Sequence, residues 1–231
     1  MSNQEGNCLL LFAKYPEKGK VKRRLVSHLG EEKVVELYKN FMLDSLSTMN
    51  ASGVEFYVCV YPPDSKASFI EWLGSDYSYL PQEGENLGER MKNGFISAFA
   101  RTYNRVVTIG SDIPNLPCEF INDAFSRLTT EDMVIGPAAD GGYYLIGFTR
   151  TTFLPESFEG IPWGTHTVLQ ETLKVVKKRS HSVHLLPEWH DIDTYDDLKN
   201  VIKKSKDTPF RHSKTFSYLA TIGEVPSEDI V

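Results

Sequence analysis

Cys8-Leu9-Leu10-Leu11-Phe12-Ala13 is an unbroken apolar run that leads directly into Lys14-Tyr15-Pro16-Glu17-Lys18-Gly19-Lys20-Val21-Lys22-Arg23-Arg24-Leu25. A strand with one face in water would alternate polar and apolar residues. A run without alternation is how a strand covered on both faces reads, which is the condition of a central strand in a parallel sheet. The segment after it carries six cations, Lys14, Lys18, Lys20, Lys22, Arg23 and Arg24, in a chain whose formal net charge is −6.

Outward from this strand the pattern alternates. Apolar residues at three- and four-residue steps from Glu31 to Asn50 (Val34, Leu37, Tyr38, Phe41, Met42, Leu46, Met49) predict an amphipathic helix. Further strands are predicted at Val54–Tyr61, Ser78–Leu80, Arg105–Gly110, Met133–Ile135, Tyr143–Phe148 and Ser182–Leu186. Helices are predicted at Ser65–Leu73, Leu87–Arg101, Cys118–Leu128, Thr165–Lys178 and Tyr195–Lys204. Alternating elements of these lengths imply an α/β three-layer sandwich around a mostly parallel central sheet. One domain over residues 1–206 is expected, and residues 207–231 form a tail whose patterning assigns no element.

Composition narrows the function. The acidic balance argues against general binding to nucleic acid, which needs many phosphates neutralised. No stretch approaches the roughly 18 apolar residues of a membrane span, and Met1–Asn7 is polar where a secretory signal is apolar. Three widely spaced cysteines, Cys8, Cys59 and Cys118, form neither a disulfide framework nor a thiolate metal site, which suits a reducing cytoplasm. The six histidines lack zinc spacing, and neither a Walker loop nor a Gly-x-Ser-x-Gly elbow is present.

In open parallel sheets ligands bind beyond the carboxyl ends of strands, so the residues following each strand are the candidates for a site. After the first strand, the cationic loop offers point charges and guanidinium forks to phosphate oxygens, with Gly19 allowing close approach; a solvated surface loop is the plain alternative. After Ile109-Gly110 come Ser111 and Asp112, where a carboxylate can meet Mg2+ or start a turn before Pro114. After the strand at Ser182–Leu186 lies His190-Asp191-Ile192-Asp193-Thr194. Asp191 and Asp193 share one side if the stretch is extended; Thr194 or Asp193 can also cap the next helix, and for Asp193 capping and metal binding are equal readings. Asp140-Gly141-Gly142 is a turn that permits close ligand approach, and equally a common hairpin turn; Trp163-Gly164-Thr165 either borders a pocket or packs before a helix.

Taken in order, the Lys14–Leu25 loop, Asn86-Leu87-Gly88-Glu89-Arg90-Met91, Gly110-Ser111-Asp112-Ile113-Pro114, Gly136–Tyr144, Trp163-Gly164-Thr165 and Asp191-Ile192-Asp193 resemble a bacterial family assigned as nucleotide-diphospho-sugar transferases of the GT-A fold. The match spans roughly residues 8 to 202. It is distantly similar to small nucleotidyltransferases, including the guanylyltransferases that activate phospholactate or phosphoenolpyruvate and those of molybdenum-cofactor synthesis. The resemblance implies that Lys14, Lys22 and Arg24 hold phosphates, with Ala13, Gly88, Arg90, Ser111, Gly141 and Gly142 completing the nucleotide contacts. It implies Mg2+ or Mn2+ on Asp112, Asp191 and Asp193. Asp112, Lys22, Arg24 and, as general base, Asp140 are the expected catalytic groups. The family's basic motif reads Lys-Thr-Arg-Leu, whereas Arg23 takes the threonine's place here.

The activity so implied is glycosyl transfer from a nucleotide-diphosphate sugar to a small acceptor. Nucleotidyl transfer from a nucleoside triphosphate to a phosphorylated acid or sugar phosphate, with pyrophosphate release, would use the same groups. A nucleotide-binding regulator without catalysis is the third reading.

Overall fold

The computed structural model describes residues 6–226. Along the chain these form β1 (Asn7–Lys14), α1 (Val26–Leu29), α2 (Glu31–Ser52), β2 (Phe56–Tyr61), α3 (Lys66–Leu73), β3 (Ser78–Pro81), α4 (Leu87–Ala100) and β4 (Arg105–Gly110). There follow α5 (Cys118–Arg127), β5 (Met133–Pro137), β6 (Tyr143–Thr149), α6 (Val168–Lys178), β7 (Val183–Leu185), α7 (Tyr195–Lys204) and α8 (Lys214–Thr221). Two compact units contain them: one runs through Tyr15 and takes in Met49–Gly110 and Pro117–Trp189, and the other comprises Pro16–Thr48, Ser111–Leu116 and the chain from His190 onward.

The first unit holds one seven-stranded sheet in the order β3-β2-β1-β4-β6-β5-β7. β1 pairs in parallel with β2 and with β4, which makes it central, as its unbroken apolar run requires. β6 is antiparallel to both β4 and β5, so the sheet is mostly rather than wholly parallel. The fold is the expected α/β, Rossmann-like one.

Alternation along β1 assigns its side chains to two faces. Cys8 and Leu10 join Met91, Phe95 and Ala98 of α4, Val106 of β4, Met133 and Ile135 of β5 and Val176 of α6 in one core cluster. Leu9, Leu11 and Ala13 on the opposite face are buried as well. Phe95 anchors the first cluster, edge-on to Phe148 at 5.3 Å between ring centroids and stacked on Phe153 at 5.4 Å. Its spacing from Met91 and Ala98 is the three-to-four step that sets side chains on one helical face.

The second unit is built on α2, whose Leu37, Phe41 and Met42 are buried. Both oxygens of Asp44, on the same helix, accept backbone N–H groups of Lys214 and Thr215 at 2.9 and 2.8 Å, while Ser213 Oγ accepts the N–H of Phe216. These bonds satisfy the first turn of α8. They also explain how part of the stretch from residue 207 onward takes up a helix; residues 227–231 lie outside the described residues.

One predicted boundary is corrected. α6 starts at Val168 rather than Thr165, because Thr165 Oγ1 donates to the Pro162 carbonyl at 2.8 Å and closes a turn instead of capping the helix.

Candidate functional site

The loop after β1 makes its sharpest feature at Lys22, whose backbone is left-handed (φ 42°, ψ 44°), a conformation rare outside glycine. Leu25 N–H donates to the Lys22 carbonyl at 2.9 Å and fixes the turn. The result turns this one lysine inward. Its side chain is 3% exposed, and its Nζ lies 2.6 Å from Asp193 Oδ1 and 3.1 Å from Asp112 Oδ2. Arg23 and Arg24, the next two residues, point their charges outward and are exposed.

Each aspartate reaches this position through a local cause. Asp112 follows β4 by two residues. Its carbonyl accepts Ile192 N–H at 3.1 Å, while Ser111 beside it is buried and shares a 2.8 Å hydrogen bond with Tyr38 Oη. Asp193 is kept out of the cap of α7 by its neighbour: Thr194 Oγ1 accepts Asp197 N–H, and Asp197 Oδ2 accepts Thr194 N–H at 2.7 Å, a complete capping box. Thr194 takes the capping role that its position in the sequence offered, so the Asp193 carboxylate is left to Lys22. Tyr38 and Asp197 are contributors that the sequence reading did not single out. The Thr-x-x-Asp spacing was a readable sign of Asp197; Tyr38 read only as part of an apolar stripe.

Burial opposes the Lys22 ammonium, but the charges of Asp112 and Asp193 and their hydrogen bonds outweigh it, so its pKa is raised above that of an ordinary lysine. The lysine is therefore a fixed cation at neutral pH. The carboxylates stay 46% (Asp112) and 40% (Asp193) exposed, so their outer edges face water.

This arrangement can be compared with what a divalent cation needs. With Asp191 the two aspartates form no metal-holding group of three, among the described residues. Two carboxylates already converging on one positive charge do fit Mg2+ or Mn2+, which take one or two protein carboxylates and complete their shell with phosphate oxygens and water. They fit a cation that arrives with phosphates better than one caged by protein alone.

The other expected residues have distinct surroundings. Ala13 is buried, and its carbonyl accepts Gln82 Nε2 at 3.1 Å. Lys14 is exposed. Gly88, in the first turn of α4, packs so tightly that a Cβ would strike the Trp163 indole and come within 2.6 Å of the Phe158 carbonyl oxygen. Arg90 lays its guanidinium 3.8 Å over the Tyr61 ring and donates from Nε to the Gly84 carbonyl at 3.1 Å. Asp140 Oδ1 accepts Gly142 N–H at 2.8 Å, closing its turn, and Gly141 (φ 90°) sits against the His166 carbonyl, where no side chain would fit. Trp163 is edge-on to Tyr143. Gly88, Gly141 and Trp163 therefore have packing roles that the sequence reading gave as the plainer alternative for the tryptophan.

A sequence profile described as "Uncharacterized protein conserved in bacteria (DUF2064)" matches residues 43–165. The chain belongs to this family. The crystal structure of a candidate nucleotide-diphospho-sugar transferase from Desulfovibrio desulfuricans G20 is 41% identical to it, covers 94% of each chain and superposes with a TM-score of 0.91. That relative bears out the resemblance read from the order of the motifs. More distant structures share the fold. Rv0371c of Mycobacterium tuberculosis H37Rv, solved as a manganese complex, is 15% identical with a TM-score of 0.52, covering 85% of this chain and 97% of its own. A CMP:2-keto-3-deoxy-manno-octonic acid synthetase complexed with CTP is 10% identical with a TM-score of 0.52, covering 84% and 96%. For this DUF2064 chain they establish architecture. No described helix is long and apolar enough to cross a membrane.

Proposed function

We propose that the protein is a divalent-metal-dependent transferase of a nucleotide-activated substrate, and that it moves a glycosyl group from a nucleotide-diphosphate sugar to a small acceptor. The observation that carries this reading is the convergence of Asp112 and Asp193 on the Lys22 ammonium, in a protein 41% identical to a candidate nucleotide-diphospho-sugar transferase.

Asp112 and Asp193, with Asp191 nearby in sequence, would hold Mg2+ or Mn2+, which when bound supplies positive charge to a departing diphosphate. Lys22 and Arg24 add cationic donors whose pull on the phosphates grows as the bond to the anomeric carbon breaks and the diphosphate takes its electron pair. The acceptor hydroxyl forms the new C–O bond and gives up its proton. Asp140 is the proposed recipient: it is exposed, and Oδ2 accepts no hydrogen bond among the described residues while Oδ1 holds the turn.

Nucleotidyl transfer is favoured as the second reading by the CTP-bound synthetase that shares this fold. Here the α-phosphate of a nucleoside triphosphate is attacked and pyrophosphate leaves, with the same charges in play. A thermal-shift screen of nucleoside triphosphates and nucleotide-diphosphate sugars, with Mg2+ or with EDTA, tests the shared premise, since a ligand of the native state raises Tm by mass action. Metal-dependent shifts are expected, and none at millimolar ligand would defeat it. Release of nucleoside diphosphate then supports glycosyl transfer, while pyrophosphate release without turnover of any nucleotide sugar supports the rival.

A further inference from the structure

Lys22 is the cation of the loop that is drawn inward onto two carboxylates. Lys20, Arg23 and Arg24 are exposed and make no side-chain ion pair among the described residues, and Lys18 pairs with Glu32 on the surface. Lys22 also adopts a left-handed backbone, which is strained for a residue with a side chain. Such strain concentrates where an arrangement is used rather than merely tolerated. Its two partners are half-exposed, so a second cation can approach them from the solvent side.

Charge counting shows the consequence. One ammonium and two carboxylates leave a net charge of −1, which draws a cation. Adding a divalent ion while Lys22 stays makes the group net positive. The same carboxylate oxygens cannot serve both partners fully, and a buried ammonium deprived of its carboxylates is costly. An incoming phosphate removes that cost, because it offers the lysine new oxygens and restores the balance.

We propose that Lys22 is a displaceable counter-ion: its ammonium holds Asp112 and Asp193 in the ligand-free protein, yields them to a divalent cation that arrives with phosphates, and passes to a phosphate oxygen. The inference rests on the reading above that this pair takes the metal. It adds that metal and phosphate bind cooperatively and that Lys22 sets the size of the coupling, which for two linked sites is typically about 5- to 150-fold.

The test measures protein-bound Mn2+ by water-proton relaxation enhancement, with and without inorganic pyrophosphate, corrected for the Mn2+–pyrophosphate complex in solution. Pyrophosphate supplies the phosphates whatever base the natural nucleotide carries. The wild-type protein is expected to bind Mn2+ weakly alone and at least about tenfold more tightly with pyrophosphate. Lys22→Met is expected to bind Mn2+ alone about tenfold more tightly than wild type and to gain much less from pyrophosphate. Lys22→Gln, polar and neutral, is a second variant should methionine disturb folding, which circular dichroism melts would report; Lys22→Arg should keep the wild-type pattern. Unchanged Mn2+ affinity in both neutral variants, with Asp112→Asn and Asp193→Asn abolishing binding, overturns the displacement but not the metal site. Absence of Mn2+ binding in every form, pyrophosphate present, overturns both.

Discussion

Two sets of carboxylates in the second unit are held in opposite ways. Asp44 is 7% exposed, and both of its oxygens accept backbone N–H groups at the start of α8. Those donors cannot move away without unwinding a helix. Asp112 and Asp193 instead meet the end of a long, flexible side chain and keep about half of their surface in water. A carboxylate saturated by backbone is part of the frame, whereas one held by a lysine can be handed to another cation without unfolding anything. The difference suits the first to stability and the second to the role in the proposed function.

Removing each carboxylate should therefore produce different losses. The largest effect is expected for Asp112→Asn, with transfer activity lower by roughly a hundred- to a thousandfold, the range for losing one aimed electrostatic group. Its urea midpoint should fall less than that of Asp44→Ala, because Asp193 still pairs with the buried Lys22 ammonium and water already reaches the substituted side chain. Asp44→Ala should reverse the pattern. It leaves the Lys214 and Thr215 N–H groups without their acceptor and should cost about 2 kcal/mol in urea unfolding, with kcat little changed. Comparable activity losses in the two variants would erase the distinction.

A smaller effect separates neighbours. Thr194→Ala removes the acceptor of the capping box on α7 and should cost about 1 kcal/mol of stability while the metal-dependent nucleotide shift in Tm persists. Loss of that shift would mean that Asp193 depends on the cap for its position.

Much of the sheet was legible because burial writes itself locally. The apolar run at Cys8–Ala13 identified β1 as central, and the three-to-four spacing of Val34, Leu37, Phe41 and Met49 marked the buried face of α2. Nothing in Tyr143–Phe148 announced that β6 runs antiparallel between β4 and β5, since strand direction depends on partners far along the chain. The short α8 was unreadable for a related reason: eight residues hold barely two turns of pattern, and beside its own Ser213 cap the acceptor for the first N–H groups, Asp44, lies 170 positions earlier on another helix. At the site, the sequence suggested the cationic loop and the strand-end aspartates but cast Lys22 and Asp193 in separate roles. Their contact spans 171 positions and turns on one left-handed residue, which no periodicity reveals. The ambiguity between Asp193 and Thr194 as helix cap could only be decided by which oxygen meets Asp197 N–H.

The central claim is that Asp112 and Asp193 join a divalent metal to a nucleotide's phosphates. Thermal shift of wild type, Asp112→Asn and Asp193→Asn, each with the best nucleotide and Mn2+ against the same nucleotide with EDTA, tests it most directly. A metal-dependent rise in Tm in the wild type that disappears in both variants is the expected result. An equal rise in all three would contradict it.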